Sequence, residues 1–232
     1  MISQMNYQEE FVKRLCPHRG IGEDNTLGGI ERGLELKPFL LEFDIQHYDH
    51  ELHLGHPPEV NETATLADAL SLYSRSKTIP KVDLKLTDAD IEVSLNLLAA
   101  ELAKWSPRKV LVNIAGELRD AASYMEAEST LLKITDNNVL LNIDLDRYRG
   151  ISDNGVAEHV ENLERIPFSI SPNLDANIPA AIDFALQHDI PNIHFWSSFD
   201  KRYSKEHLFG VMGYVLDSAL EVYFDIKAVN IG

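Results

Sequence analysis

The chain alternates between two rhythms of hydrophobic and polar positions. From Leu40 to Gln46 the period is two: Leu41, Phe43 and Ile45 fall on one face, Glu42, Asp44 and Gln46 on the other, as along a β-strand. Before it, Phe11 to Gly20 predicts a first strand after a short polar lead-in, and Leu27, Ile30 and Leu34 keep helical spacing behind the capping side chains of Asp24-Asn25-Thr26. After it, Tyr48 to Leu52 predicts a tight reversal and Leu52-His53-Leu54 a short return strand. Thr65-Leu66-Ala67-Asp68 has the form of a capping box, followed by the apolar stripe Leu66, Ala69, Leu70 and Tyr73. Ile79 to Leu86 alternates again. Thr87-Asp88-Ala89-Asp90 then caps a helix carrying Ile91, Leu95, Leu98 and Leu102. Further strands are predicted at Val110–Ile114, Val139–Ile143, Phe168–Ser171, Ile193–Ser197 and Val222–Ile226, with helices between, among them Ile178–Gln187 and Glu206–Ser218. Glu117, Glu126 and Glu128 are expected on a solvated helix face.

About eight strand–helix units in succession predict an α/β fold, a single compact (β/α)8 TIM barrel, with residues 1–232 as one domain. The helix-facing residues of the strands are apolar. The opposite face is polar: Glu42 and Asp44; Lys81, Asp83 and Lys85; Asn142 and Asp144; His194 and Trp196; Tyr223 and Asp225. Burying such groups is costly unless they pair with each other or hold an ion, so a charged cavity at the barrel mouth is expected. The alternative is an antiparallel sheet with one wet face; the intervening helices favour parallel connections.

Composition narrows the partners. The 232 residues carry 37 acidic and 21 basic side chains, a net charge of -16, which argues against nucleic acid and anionic membrane surfaces as partners. A local cluster of cations can still receive a small anion. The one cysteine fits a reducing compartment, and no signal peptide or apolar run of about 18 residues is visible, so a cytoplasmic protein without stable membrane insertion is expected.

Two histidines, paired carboxylates on a strand and an arginine suit cleavage of a phosphate ester with a divalent cation. His18-Arg19-Gly20, Asp24-Asn25-Thr26, Glu42-Phe43-Asp44 and Gly55-His56, in that order, resemble the N-terminal signature of the glycerophosphodiester phosphodiesterases, a family of phospholipase-C-like TIM barrels in lipid metabolism related to the spider-venom sphingomyelinase D toxins. Val82-Asp83-Leu84-Lys85 matches the family's acid-x-Lys pair on the third strand. The likeness covers roughly the first third of the chain, with weak echoes at Phe195-Trp196-Ser197 and Phe224-Asp225.

The resemblance implies a metal-dependent phosphodiester hydrolase acting on a small-molecule phosphodiester. Glu42, Asp44 and Asp83 would hold the cation, Mg²⁺ or Ca²⁺, whose charge relieves the repulsion of carboxylates crowded on one strand face. His18 and His56 would be general base and general acid, since imidazole exchanges a proton near neutral pH. Arg19 and Lys85 would hold the phosphate. The sequence departs from the family at two places. Asp83 stands where Glu is common, one methylene shorter, and the usual insertion after the second-strand hairpin is replaced by the short stretch from Pro57 to Glu62.

Other readings stand beside this one. The acids could pair with Lys81, Lys85 or Arg19 in a dry salt-bridge network; Lys85 could form a Schiff base, as in lyases; His50 and His53 have zinc-like spacing without a completing ligand. The runner-up as a whole is a catalytically silent barrel that binds a phosphorylated ligand or a partner protein.

Overall fold

The computed structural model describes residues 13–148, 150–173, 177–196, 208, 211 and 220–226. In chain order the elements are β1 (Leu15–Pro17), α1 (Leu27–Glu35), β2 (Leu40–Tyr48), β3 (Glu51–Leu54), α2 (Leu66–Leu72), β4 (Ile79–Thr87), α3 (Ile91–Trp105), β5 (Val110–Glu117), α4 (Ala121–Ile134), β6 (Val139–Asp144), α5 (Asp153–Asn162), β7 (Ser169–Ser171), α6 (Ile178–Gln187), β8 (Asn192–Trp196) and β9 (Glu221–Ile226).

The fold is mixed α/β. The strands form one curled, half-barrel sheet in the order β1-β9-β8-β7-β6-β5-β4-β2-β3. Every pairing is parallel except the β2–β3 hairpin. The strand–helix alternation therefore gives parallel crossovers, as a barrel requires. A closed eight-stranded ladder goes further than the pairing: among the described residues none joins β1 to β2. The starts of these two strands do meet, where the Phe39 N–H donates to the Lys13 carbonyl at 3.1 Å.

Most predicted elements lie within a residue or two of those observed. The first strand is shorter than expected at both ends: Lys13 and Arg14 ahead of it are helical, and after it the chain turns at Arg19 and Gly20, which have φ of 60° and 84°. His18-Arg19-Gly20 is thus a turn at the strand's end rather than part of the strand. Phe11, Ser197 and most of the helix expected at Glu206–Ser218 lie outside the described residues, though Leu208 and Val211 are buried.

Helix starts follow local chemistry. Thr26 caps α1 by accepting from the Gly29 N–H at 3.0 Å. Thr65 and Asp68 form a reciprocal capping box at α2. Asp90 precedes α3, but its carboxylate accepts from the Thr87 N–H at 2.8 Å instead of capping the helix. Leu41, Phe43, Ile45, Val82, Leu84, Ile143, Ile193 and Phe224 all enter the core between sheet and helices. Gly33 brings α1 against β2: a Cβ there would lie 2.0 Å from Leu41 Cδ1.

Glu128 departs from the solvated face expected for it. Burial under α5 and the turn Leu145–Tyr148 leaves it 2% exposed, accepting from the Tyr148 hydroxyl and meeting His159 Nε2 at 2.8 Å. Glu126 is exposed as expected, and Glu117 is exposed at the end of β5.

Candidate active site

The inner face of the sheet is layered by strand register. Cys16, Leu40, Leu111 and Tyr223 close its lower end as a small apolar cluster. Above them Glu42 stands beside Lys81; one step further Asp44 stands beside Asp83, Asp83 beside Asn113 and Asn113 beside Asn142; then Gln46 stands beside Lys85. Adjacent like charges such as Asp44 and Asp83 repel, and the lysines one step above and below on β4 offset that cost. A ladder of neutral groups continues round the sheet: Asn142 donates to Asn113 at 3.0 Å and accepts from Ser169 at 2.6 Å and Ser171 at 2.9 Å.

Glu42, Asp44 and Asp83 are buried and each offers an oxygen within 4.8 Å of the others. Among the described residues no other cluster of this kind occurs, so His50 and His53 form no zinc site. Oxygens that share one ion can be separated by at most twice the metal–ligand distance, roughly 4 Å for Mg²⁺ and up to about 5 Å for Ca²⁺. The donor set therefore fits a hard divalent cation.

Three cations enter the same cluster. Arg19 Nε lies 2.6 Å from Asp44 Oδ2, Lys85 Nζ lies 2.6 Å from Asp44 Oδ1 and 3.4 Å from Asp83, and Lys81 Nζ lies 3.6 Å from Asp83. The ion pairs expected under the salt-bridge reading are therefore present. Three carboxylates face three fixed cations, so the formal charge is balanced before any ion binds.

The turn after β1 is held onto this cluster. The Arg19 N–H donates to Glu42 Oε2 at 2.6 Å, and His18 Nδ1 lies 3.3 Å from the same oxygen. Its left-handed backbone costs Arg19 energy that a glycine would not spend. In return both its N–H and its side chain reach acids of β2. Asn25, expected as a helix-capping residue and as part of the Asp24-Asn25-Thr26 motif of the resemblance but with no role assigned at the site, grips Asp44 twice: its Nδ2 donates to Oδ2 at 2.9 Å and its Oδ1 accepts from the Asp44 N–H at 2.9 Å. The sequence signal for this was its place beside Thr26; the long-range partner was not legible.

His56 is separate from the carboxylates. It is exposed, and its Nδ1 meets the Pro57 carbonyl at 2.9 Å. The short stretch carrying it is tied to the inner face, since Gln46 donates to the Glu59 carbonyl at 2.6 Å and the Gly55 N–H donates to the Asp44 carbonyl at 3.1 Å.

Two groups carry informative pKa shifts. Burial alone would lower that of Lys85, but Asp83, Asp44 and Glu42 outweigh it and hold the ammonium above its usual range. Asp144, on the inner face of β6, is pushed up to about 6 by burial, against the pull of Arg147 at 3.3 Å and with a further push from Asp83. It belongs to the polar inner face expected from the sequence, yet its place beside the acidic cluster follows only from the sheet's curl.

The chain matches no protein-family profile, and no curated protein matches it in sequence. Solved structures do resemble it. A phosphodiesterase from Oleispira antarctica, in complex with the product sn-glycerol-3-phosphate, is 12% identical with a TM-score of 0.66, covering 93% of this chain and 94% of that one. An N-acetylneuraminate lyase from Mycoplasma synoviae (8% identical, TM-score 0.56) covers 94% of this chain and 70% of its own. A monomeric dihydrodipicolinate synthase (15% identical, TM-score 0.54) covers 93% and 70%. At these identities the likeness is one of fold, a TIM-type α/β architecture. Among the described residues no helix is long and apolar enough to cross a membrane.

Proposed function

We propose that the chain is a metal-dependent phosphodiester hydrolase like the glycerophosphodiester phosphodiesterases, with one barrel domain over residues 1–232. The observation that carries this is the convergence of Glu42, Asp44 and Asp83 with Arg19 and Lys85 at one buried point. A bound Mg²⁺ or Ca²⁺ would supply Lewis-acid neutralisation of a non-bridging phosphate oxygen. With the carboxylates already balanced by cations, such an ion leaves the site with net positive charge, suited to an anionic phosphodiester.

The chain's own groups then divide the work. Arg19 and Lys85 turn from Asp44 toward the phosphate, a planar fork and a point charge on the developing anionic oxygens. His18, donating Nδ1–H to Glu42, has Nε2 as its basic nitrogen and takes the proton of the attacking hydroxyl. As the bond from phosphorus to the leaving oxygen breaks, His56 gives that oxygen a proton. Its exposed position suits a group that exchanges protons with solvent between turnovers.

One observation favours a second reading. Both oxygens of Asp44 are engaged by cations, as in a silent barrel that binds a phosphorylated ligand through the same arginine and lysine. A Schiff-base lyase is disfavoured, because its lysine must lose a proton and the carboxylates around Lys85 hold that proton more tightly. Hydrolysis of glycerophosphocholine and of bis(p-nitrophenyl) phosphate, with and without chelator, beside His18→Ala, tests the proposal. Turnover lost in both conditions supports it. Turnover indifferent to both refutes it, and ligand-induced stabilisation without turnover selects the silent barrel.

A further inference from the structure

A cavity lies at the end of the sheet away from the carboxylate cluster. It has a volume of about 720 Å³ and its lining includes residues just ahead of three strands: Lys13 two before β1, Phe39 one before β2 and Thr78 one before β4. Five residues separate Phe39 from Asp44, and Thr78 from Asp83, which is about 17 Å along a strand. This cavity is therefore remote from the carboxylate cluster, and its volume is that of a small-molecule site.

Its charge is opposite to that of the chain. Lys13, Lys37, Arg75 and Lys77 all line it. With 37 acidic side chains against 21 basic ones, an exposed cation in this protein meets an acid easily. Yet among the described residues Lys37, Arg75 and Lys77 have no ion-pair partner, even though Glu31 and Glu35 stand on the same wall. Lys37 also occupies a left-handed position, φ 52°, just beyond the end of α1, where glycine is usual. All three side chains are exposed, and an anion seated between them would relieve their mutual repulsion.

The rest of the lining specifies more than an anion. Phe39 is 37% exposed, and one face of its ring stacks on Tyr223 with centroids 5.0 Å apart and planes 12° from parallel. Its position is thereby fixed, and its exposed side is a stacking platform for a flat ring. Glu31 and Glu35 would repel an anion but accept hydrogen bonds from hydroxyl or amino groups. Cations for phosphates, carboxylates for sugar hydroxyls and a fixed aromatic face for a base match one ligand class.

We propose that this cavity binds a nucleotide, its phosphates on Lys37, Arg75 and Lys77 and its base on Phe39. The site is independent of the carboxylate cluster, so it stands whether or not the chain hydrolyses phosphodiesters.

Calorimetric titration of the full chain with ATP, adenosine and inorganic triphosphate, in the presence of a chelator, tests it. ATP is expected to bind one to one, at least tenfold tighter than adenosine or triphosphate alone. The double variant Arg75→Glu/Lys77→Glu, on two exposed side chains, is expected to weaken ATP at least tenfold with an unchanged circular dichroism spectrum. Lys85→Met is expected to leave ATP binding unaltered. Three results would each overturn the proposal: no binding of ATP at millimolar concentration, triphosphate binding as tightly as ATP, or loss of ATP binding in Lys85→Met rather than in the double variant.

Discussion

Lys85 and Asp44 meet at 2.6 Å, Nζ to Oδ1, at a point where the resemblance would assign one to phosphate and the other to metal. The ammonium thus occupies an oxygen that a cation would need. Binding of a metal and release of Lys85 toward phosphate are then parts of one exchange. At this separation the ammonium's competition is worth about 6 kcal/mol at an effective dielectric of 20, an upper figure because the pair also relaxes. Lys85→Met is therefore expected to tighten Ca²⁺ binding by about tenfold or more while lowering phosphodiesterase turnover. Without cation it should lose about 3 kcal/mol of stability, since Asp44 and Asp83 are left buried with less compensation. Calorimetry with Ca²⁺ and urea unfolding check the two halves. Parallel loss of metal affinity and turnover would contradict the exchange.

Metal removal gives a second prediction. If Glu42, Asp44 and Asp83 share one ion, saturating Mg²⁺ or Ca²⁺ at about a hundred times its dissociation constant stabilises the protein by about 2.7 kcal/mol. For a chain of this size that is a rise in Tm of roughly 5–10 °C. Chelator should reverse the rise, and Asp83→Asn should abolish it while Lys133→Ala, on α4, keeps it. A rise that persists in Asp83→Asn would place the ion elsewhere.

The sheet-facing residues were legible because period two is printed in the strands themselves. Leu41, Phe43 and Ile45 had to go one way once Glu42 and Asp44 went the other. Local caps such as Thr65 with Asp68 were equally legible, since both partners lie within one turn. The contact of Asn25 with Asp44 was not, because it depends on how closely α1 packs on β2 at Gly33. Glu128 was misplaced for a related reason: exposed and buried positions of a two-sided helix look alike until α5 is laid across it. The inward charges of β4 could be seen, but not how they pair. The choice between an ion and a salt-bridge network turns on ångström distances across strands.

Gly20 supplies a third prediction, one of backbone rather than charge. Its φ is 84°, and a Cβ there would lie 2.6 Å from the Gly29 carbonyl carbon and 2.8 Å from its oxygen. Neither neighbour is a flexible tip. Gly20→Ala must both adopt a left-handed conformation and push α1 outward, a cost of about 2–4 kcal/mol. Because α1 follows Asn25 directly, the shift also loosens the grip on Asp44. The expected result is a lowered urea midpoint together with weakened cation-induced stabilisation. An unchanged midpoint would mean that the turn after β1 is not held as described.

Asp144 gives the last prediction, through pH. Its carboxyl is raised from 3.8 to about 6, chiefly by burial. The folded protein therefore keeps a proton there that the unfolded chain has already released. Between pH 4 and 6 the unfolded state binds fewer protons at this position, so stability falls as pH rises, and above about 6 the full cost is present. A difference of about two units corresponds to roughly 3 kcal/mol. Asp144→Asn keeps an acceptor for the Asp146 N–H, which now meets Oδ1 at 3.1 Å, but has no proton to lose. Relative to the natural protein, the variant should gain on the order of 3 kcal/mol in urea unfolding as pH goes from 4 to 7. Asp83 contributes to the raised value, so a cation bound beside Asp83 should draw the Asp144 carboxyl back down and shrink that gain. A gain present without cation and reduced by saturating Ca²⁺ would tie Asp144 to the carboxylate cluster electrostatically; a gain indifferent to Ca²⁺ would separate them.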